Sequence, residues 1–143
     1  MNKKVALLII FSILGIVLIC HFLIFTEQIP YDKVWSGKLT TVEEMKSIEI
    51  FSILLNSFML IIFFVKYKQL KKEKETKIIN ILIWIFAIFF MFNTLGNLCA
   101  KSTTEFILGT IFSLTLAILC FFIVKRKKRK HNKDPANRAF TDL

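Results

Sequence analysis

Four long apolar runs divide the chain, at about residues 5–25, 48–65, 78–100 and 106–124, and none alternates polar with apolar positions. At about 1.5 Å of rise per helical residue, each is long enough to cross about 30 Å of hydrocarbon. Strands of a transmembrane barrel would instead alternate over about ten residues. The pattern therefore predicts an all-α fold, a four-helix transmembrane bundle. The runs are apolar on every side, as helices facing lipid must be.

Composition agrees with this pattern. The 143 residues are 55% hydrophobic, with sixteen Phe but four Gly and two Pro, which fits neither a disordered nor a collagen-like chain. The length suits one domain, with residues 1–125 forming the transmembrane unit. Residues 126–143 are a basic, polar tail that contains Pro135, shows no periodicity, and is expected to lack fixed structure. The opening "MNKKVALLIIFSILGIVLIC" has the charged start and apolar middle of a secretory signal. Ile19 stands where cleavage before Cys20 would need a small residue, however, and the run continues through Phe22 to Phe25. It is expected to stay as the first span.

Charge orients the bundle. The N-terminus, the segment between the second and third spans, and the tail hold sixteen of the twenty Lys and Arg. The opposite side holds Lys33, Lys38, Lys46 and Lys101 against six acids. The positive-inside rule then places both termini in the cytoplasm and residues 26–47 outside. The basic runs "KYKQLKKEKETK" and "KRKKRKHNK" abut spans, where attraction to anionic headgroups accounts for them. They come with no stacking platform or reading motif, so nucleic acid is not an expected partner.

The segment between the first two spans is expected to be a structured outer loop. Pro30, Ser36 and Gly37 are turn residues, and Tyr31 and Trp35 are aromatics suited to headgroup level. Thr40 with Glu43, and Thr41 with Glu44, fit the capping box, so the second helix should begin near Val42. In that helix Glu49, Ser52 and Asn56 share a face, and the third span offers Asn93, Asn97 and Lys101 at intervals of four. Asn56 and Asn93 lie about 10 Å below the outer surface. Amides in hydrocarbon need partners, so these groups are expected to turn inward and bond across helices. One reading makes them helix glue. The other makes them an outward-facing polar pocket of His21, Asp32, Trp35, Glu49, Ser52, Asn56, Asn93, Asn97 and Lys101, roofed by the loop, with His21 and Glu49 ionisable. Asn80 lies about 220° round from Asn93 and belongs to a different contact.

Gly109, Ser113 and Ala117 form a small-xxx-small ridge, suited to packing within the bundle or to a homodimer. Cys20, Cys99 and Cys120 form no C-x-x-C pair and read as small buried hydrophobes, with a Cys20–Cys99 disulfide as the alternative. With His131 in the tail, His21 has no second histidine near it, and no metal site or cofactor is expected. No phosphate loop, nucleophile elbow or H-E-x-x-H occurs, and no catalytic residue is assigned.

His21, then "IPYDKVWSGKL", "EEM", Glu49 and Asn56, and later "NTLGNL", resemble a group of small bacterial four-span membrane proteins over residues 5–124. The chain departs at Ser36, where the group more often has a second glycine beside Gly37. The resemblance implies a bacterial plasma (inner) membrane and brings no activity. The expected function is therefore a non-enzymatic binding or accessory role through the outer polar cluster, with anionic lipid and a membrane-protein partner or second copy as candidate partners. The alternative is a membrane enzyme or proton-coupled transporter using His21 and Glu49.

Overall fold

The computed structural model describes residues 2–30, 41–100, 102, 103 and 105–125. Most of the expected outer loop, including Asp32 and Trp35, together with Lys101 and the 126–143 tail, lies outside the described residues. Within them the chain forms α1 (Lys3–Phe25), α2 (Val42–Lys71), α3 (Lys77–Leu98), a π-helical turn (Glu105–Gly109) and α4 (Thr110–Val124). Four helical segments, α1, α2, α3 and Phe106–Val124, which joins the π turn to α4, are long and apolar enough to cross a membrane. This is an all-α bundle, and strands are absent among the described residues. Large apolar side chains cover its outside, among them Phe51, Phe92 and Ile78 at 66%, 67% and 71% exposure. No water-soluble monomer keeps a belt of that extent, and lipid is the solvent that suits it.

Helix ends are set by local chemistry. The Thr41 hydroxyl accepts from the Glu44 amide at 3.2 Å, so α2 starts at Val42 as the capping pattern predicts. Its 30 residues extend about 45 Å, which carries both ends beyond the hydrocarbon. Both α1 and α2 close with a Schellman motif, in which Gln28 N–H donates to Leu23 O and Lys74 N–H to Gln69 O. Glycine usually takes the left-handed position of that motif, but here Glu27 (φ 61°) and Glu73 (φ 54°) do. A residue with a Cβ is disfavoured there by about 1 kcal/mol. Glu73→Gly should therefore raise the midpoint of thermal unfolding in lipid nanodiscs, whereas Glu73→Ala should not.

Apart from Ile62, the buried positions of α2 follow a heptad, Met45, Glu49, Ser52, Met59, Phe63 and Lys66, with half-buried Asn56 in the same register. In α1 the same spacing joins Leu7, Ile10 and Leu14 to Val17, His21 and Ile24. Ile83, Ala87, Phe90, Thr94 and Asn97 repeat it in α3, as do Gly109 at the end of the π turn and Ser113, Leu116, Cys120 and Ile123 in α4. A sustained 3.5-residue period keeps one seam of each helix against its neighbours. Near mid-membrane the seams are apolar, with Phe63 and Phe86 rings 5.8 Å apart. Toward both ends they turn polar, and it is this that positions every candidate site.

Pairing is uneven. α1 packs chiefly on α2 and α3 chiefly on α4, with α1 also against α4. The ridge of Ser113 and Ala117 is buried within the single chain, at 6% and 1% exposure. It serves packing against α3. A Cβ on Gly109 would meet the Asn97 amide at 2.7 Å, so any larger residue there would have to displace that side chain.

Candidate functional site

Polar side chains gather at three places, two at the end of the bundle that holds His21 and one at the end that holds Lys66.

In the first, α1 and α2 face each other through their seams. His21 Nδ1 lies 2.7 Å from Glu49 Oε2, with the Glu49 side chain completely buried and that of His21 18% exposed. An ionised carboxylate only accepts hydrogen bonds, so with Glu49 ionised Nδ1 carries the hydrogen. Nε2 is then an acceptor in the neutral ring and a donor in the imidazolium. A carboxylate in an apolar interior carries a desolvation cost that such a bond offsets. Nearby, Lys46 pairs with Glu27 at 2.8 Å, but both side chains are about half exposed, and such pairs contribute little.

In the second, α3 and α4 meet around Ser113, which is buried. Its hydroxyl donates to Gly109 O at 2.6 Å, leaving its lone pairs to the Thr94 hydroxyl at 2.9 Å and the Asn97 amide at 3.4 Å. The Gly109 bond lies within Ser113's own helical segment, whereas the Thr94 and Asn97 contacts are interhelical glue of the ordinary kind, worth about 0.6 to 2 kcal/mol each.

The third was not anticipated by the sequence reading, which assigned Lys66 to the lipid-attracting basic run. Its side chain is instead completely buried, with Nζ donating to Glu75 Oε2 at 2.9 Å and to Asn80 Oδ1 at 2.6 Å. Lys3 Nζ stands 3.7 Å from the other Glu75 oxygen, and Asn80 Nδ2 donates weakly to Oε2 at 3.4 Å. This cluster ties the start of α1 to the α2–α3 turn. Partial burial pushes the Glu75 carboxyl up, but the hydrogen bond and charge of Lys66, the charge of Lys3 and the Asn80 bond together hold it below its ordinary value.

The expected pocket residues thus separate. His21 and Glu49 come together, with buried Ser52 one turn along the seam. Asn56 does not bond across helices, because its Nδ2 donates to Ser52 O of its own helix at 2.9 Å. Asn93 does not turn inward either: it is exposed, since the α3 seam runs Phe90–Thr94–Asn97 and Asn93 lies one residue, about 100°, off it. Asn97 bonds to Ser113. Asn80 belongs to a separate contact, as its angular offset predicts. Cys20 and Cys99, expected to be buried, are free and exposed on outward faces, whereas Cys120 is buried. Thr94 and Lys66 were missed, and the signal that could have found them was the heptad register of the apolar neighbours. No three metal-ligating side chains cluster among the described residues.

A direct consequence concerns the amides. Asn56→Leu and Asn93→Leu should each change unfolding stability by less than about 0.5 kcal/mol, the range for substitutions away from special contacts. Thr94→Ala should cost more than either. Steric-trap unfolding in bicelles measures all three.

The chain matches no protein-family model, no curated protein and no solved structure.

Proposed function

We propose that this is a non-enzymatic binding or accessory protein of a bacterial plasma membrane, with both termini cytoplasmic, that engages a ligand or membrane-protein partner at its His21 end. The supporting observation is the 2.7 Å contact between a fully buried Glu49 and a His21 side chain that keeps 18% of its surface accessible. Simple glue needs no ionisable pair, since hydroxyls and amides provide it between α3 and α4 in the same molecule. A carboxylate that fixes an imidazole while the ring stays reachable is how a histidine is oriented for a polar group arriving from outside. By the tautomer argument above, the ring can accept from a hydroxyl or amide when neutral and donate to an anion when protonated.

A membrane enzyme or proton-coupled transporter is the second reading. The same distance favours it, because acid and base chemistry requires groups within hydrogen-bond reach.

A photo-crosslinking amino acid at the exposed Cys20, next to His21, tests the proposal in native cells. A discrete adduct that disappears with His21→Ala and with Glu49→Leu, while both variants stay folded, supports it. An adduct indifferent to both substitutions, or none, contradicts it. Catalysis or transport would be lost in Glu49→Gln with the adduct retained, because glutamine keeps a hydrogen-bond acceptor for the ring but cannot take a proton.

A further inference from the structure

A groove of about 610 Å³ runs between α3 and α4 at the Lys66 end, and its lining divides sharply by chemistry. Lys77, in the first turn of α3, and Lys125, just past the end of α4, are both exposed at its mouth. Deeper along the helices the walls are Ile81, Trp84 and Phe121, with the Trp84 and Phe121 rings edge to face at 4.9 Å. Ile81 and Trp84 are 58% and 47% exposed, so the apolar wall opens toward the acyl chains.

We propose that this groove is a binding site for one anionic phospholipid, its phosphate between Lys77 and Lys125 and an acyl chain along Trp84 and Phe121. Three observations favour that occupant over a neutral lipid or a protein segment. The two mouth residues are cations, and no acid lines the groove among the described residues. Glu75 is the nearest carboxylate in the adjoining cluster, and its oxygens are engaged by Lys66, Lys3 and Asn80. The N-terminus of α3 also lies at this end, where Thr76 makes no side-chain cap, and a helix N-terminus favours an anion. The apolar wall then distinguishes a lipid from free phosphate, which would leave Trp84 and Phe121 uncovered.

The site rests on membrane insertion and is independent of the His21–Glu49 proposal. The experiment uses the full chain carrying Trp35→Phe, so that Trp84 is the only tryptophan. In phosphatidylcholine nanodiscs, a small fraction of brominated phosphatidylglycerol should quench Trp84 more strongly than the same fraction of brominated phosphatidylcholine. Attraction of about 1 kcal/mol per basic residue near a headgroup makes each neutralisation, Lys77→Gln or Lys125→Gln, weaken that preference about fivefold. Lys77→Arg and Lys125→Arg should retain it. Both lysines are exposed, and an unchanged helical circular dichroism spectrum checks that the glutamine variants stay folded. Equal quenching by the two lipids, or a preference that survives both glutamine substitutions, would overturn the assignment. Reversal of the quenching by excess inorganic phosphate would identify free phosphate as the occupant and reject the lipid.

Discussion

Glu75→Ala is expected to destabilise the bundle by about 3 kcal/mol, far more than Lys66→Met, although the glutamate is the more exposed of the two. The asymmetry follows from which charge is stranded. Lys66 has no exposed surface and is bonded to Glu75 and Asn80. Removing the carboxylate leaves a buried ammonium with one neutral partner, and breaking a buried pair from one side costs about 3 to 5 kcal/mol. The low end applies because Asn80 remains. Lys66→Met removes the charge that needed compensation and fills similar volume, an exchange that is often neutral or stabilising, while Glu75 keeps Lys3 and some solvent. Steric-trap unfolding in bicelles gives both numbers, and equal losses would contradict the buried-pair description.

The pH dependence has a definite sign. The Glu75 carboxyl in the folded bundle is held below its ordinary 4.5, after the rise from burial is outweighed by Lys66, Lys3 and Asn80. A depressed acid stabilises the folded state fully above the unfolded value, and that contribution is lost as pH falls through the folded value. Acidification below about 4.5 should thus destabilise the wild type more than Glu75→Gln, in thermal scans at fixed ionic strength.

The second large effect concerns His21 and Glu49. Each single substitution, His21→Ala and Glu49→Leu, is expected to cost about 1 to 3 kcal/mol, the range for disturbing a buried hydrogen-bonded polar group. The double variant should cost less than the two together by about 1 to 2 kcal/mol, because the second change removes a group already deprived of this partner. Interhelical hydrogen bonds between neutral groups in membranes average about 0.6 kcal/mol of coupling. A larger value here would reflect the charge on the carboxylate in a dry interface. Additivity within about 0.3 kcal/mol would mean that the two side chains do not interact.

How much of this was legible beforehand can be argued residue by residue. The four spans follow from length and hydropathy, because a bilayer imposes the same demand on any chain that crosses it. The start of α2 was readable from Thr41 and Glu44, since a capping box is local chemistry. The inward polar groups were only half readable. Equal spacing of Asn93, Asn97 and Lys101 suggested a face, but a lipid-exposed helix is apolar all round, so polar spacing alone does not reveal which side packs. The register shared by Ile83, Ala87 and Phe90 reveals it, and it selects Thr94 while excluding Asn93. Lys66 was hidden by its neighbours in a basic run. Its place seven residues after Met59 and three after Phe63 marks it as a seam residue, while its pairing with Glu75 and Asn80 is set by how the α2–α3 turn folds back. The joining of His21 to Glu49 required three dimensions, because nothing local fixes how α1 and α2 align.

The contact between His21 and Glu49 inside a bilayer is best measured by magic-angle-spinning NMR of protein labelled with ¹⁵N-histidine and ¹³C-carboxyl-glutamate, in a His131→Gln background that leaves one histidine. Strong dephasing of a carboxyl carbon by the ring nitrogen, abolished in Glu49→Gln, is the expected result for a 2.7 Å hydrogen bond. Absence of that dephasing in the unsubstituted pair would show the two side chains apart and remove the site on which the proposed function depends.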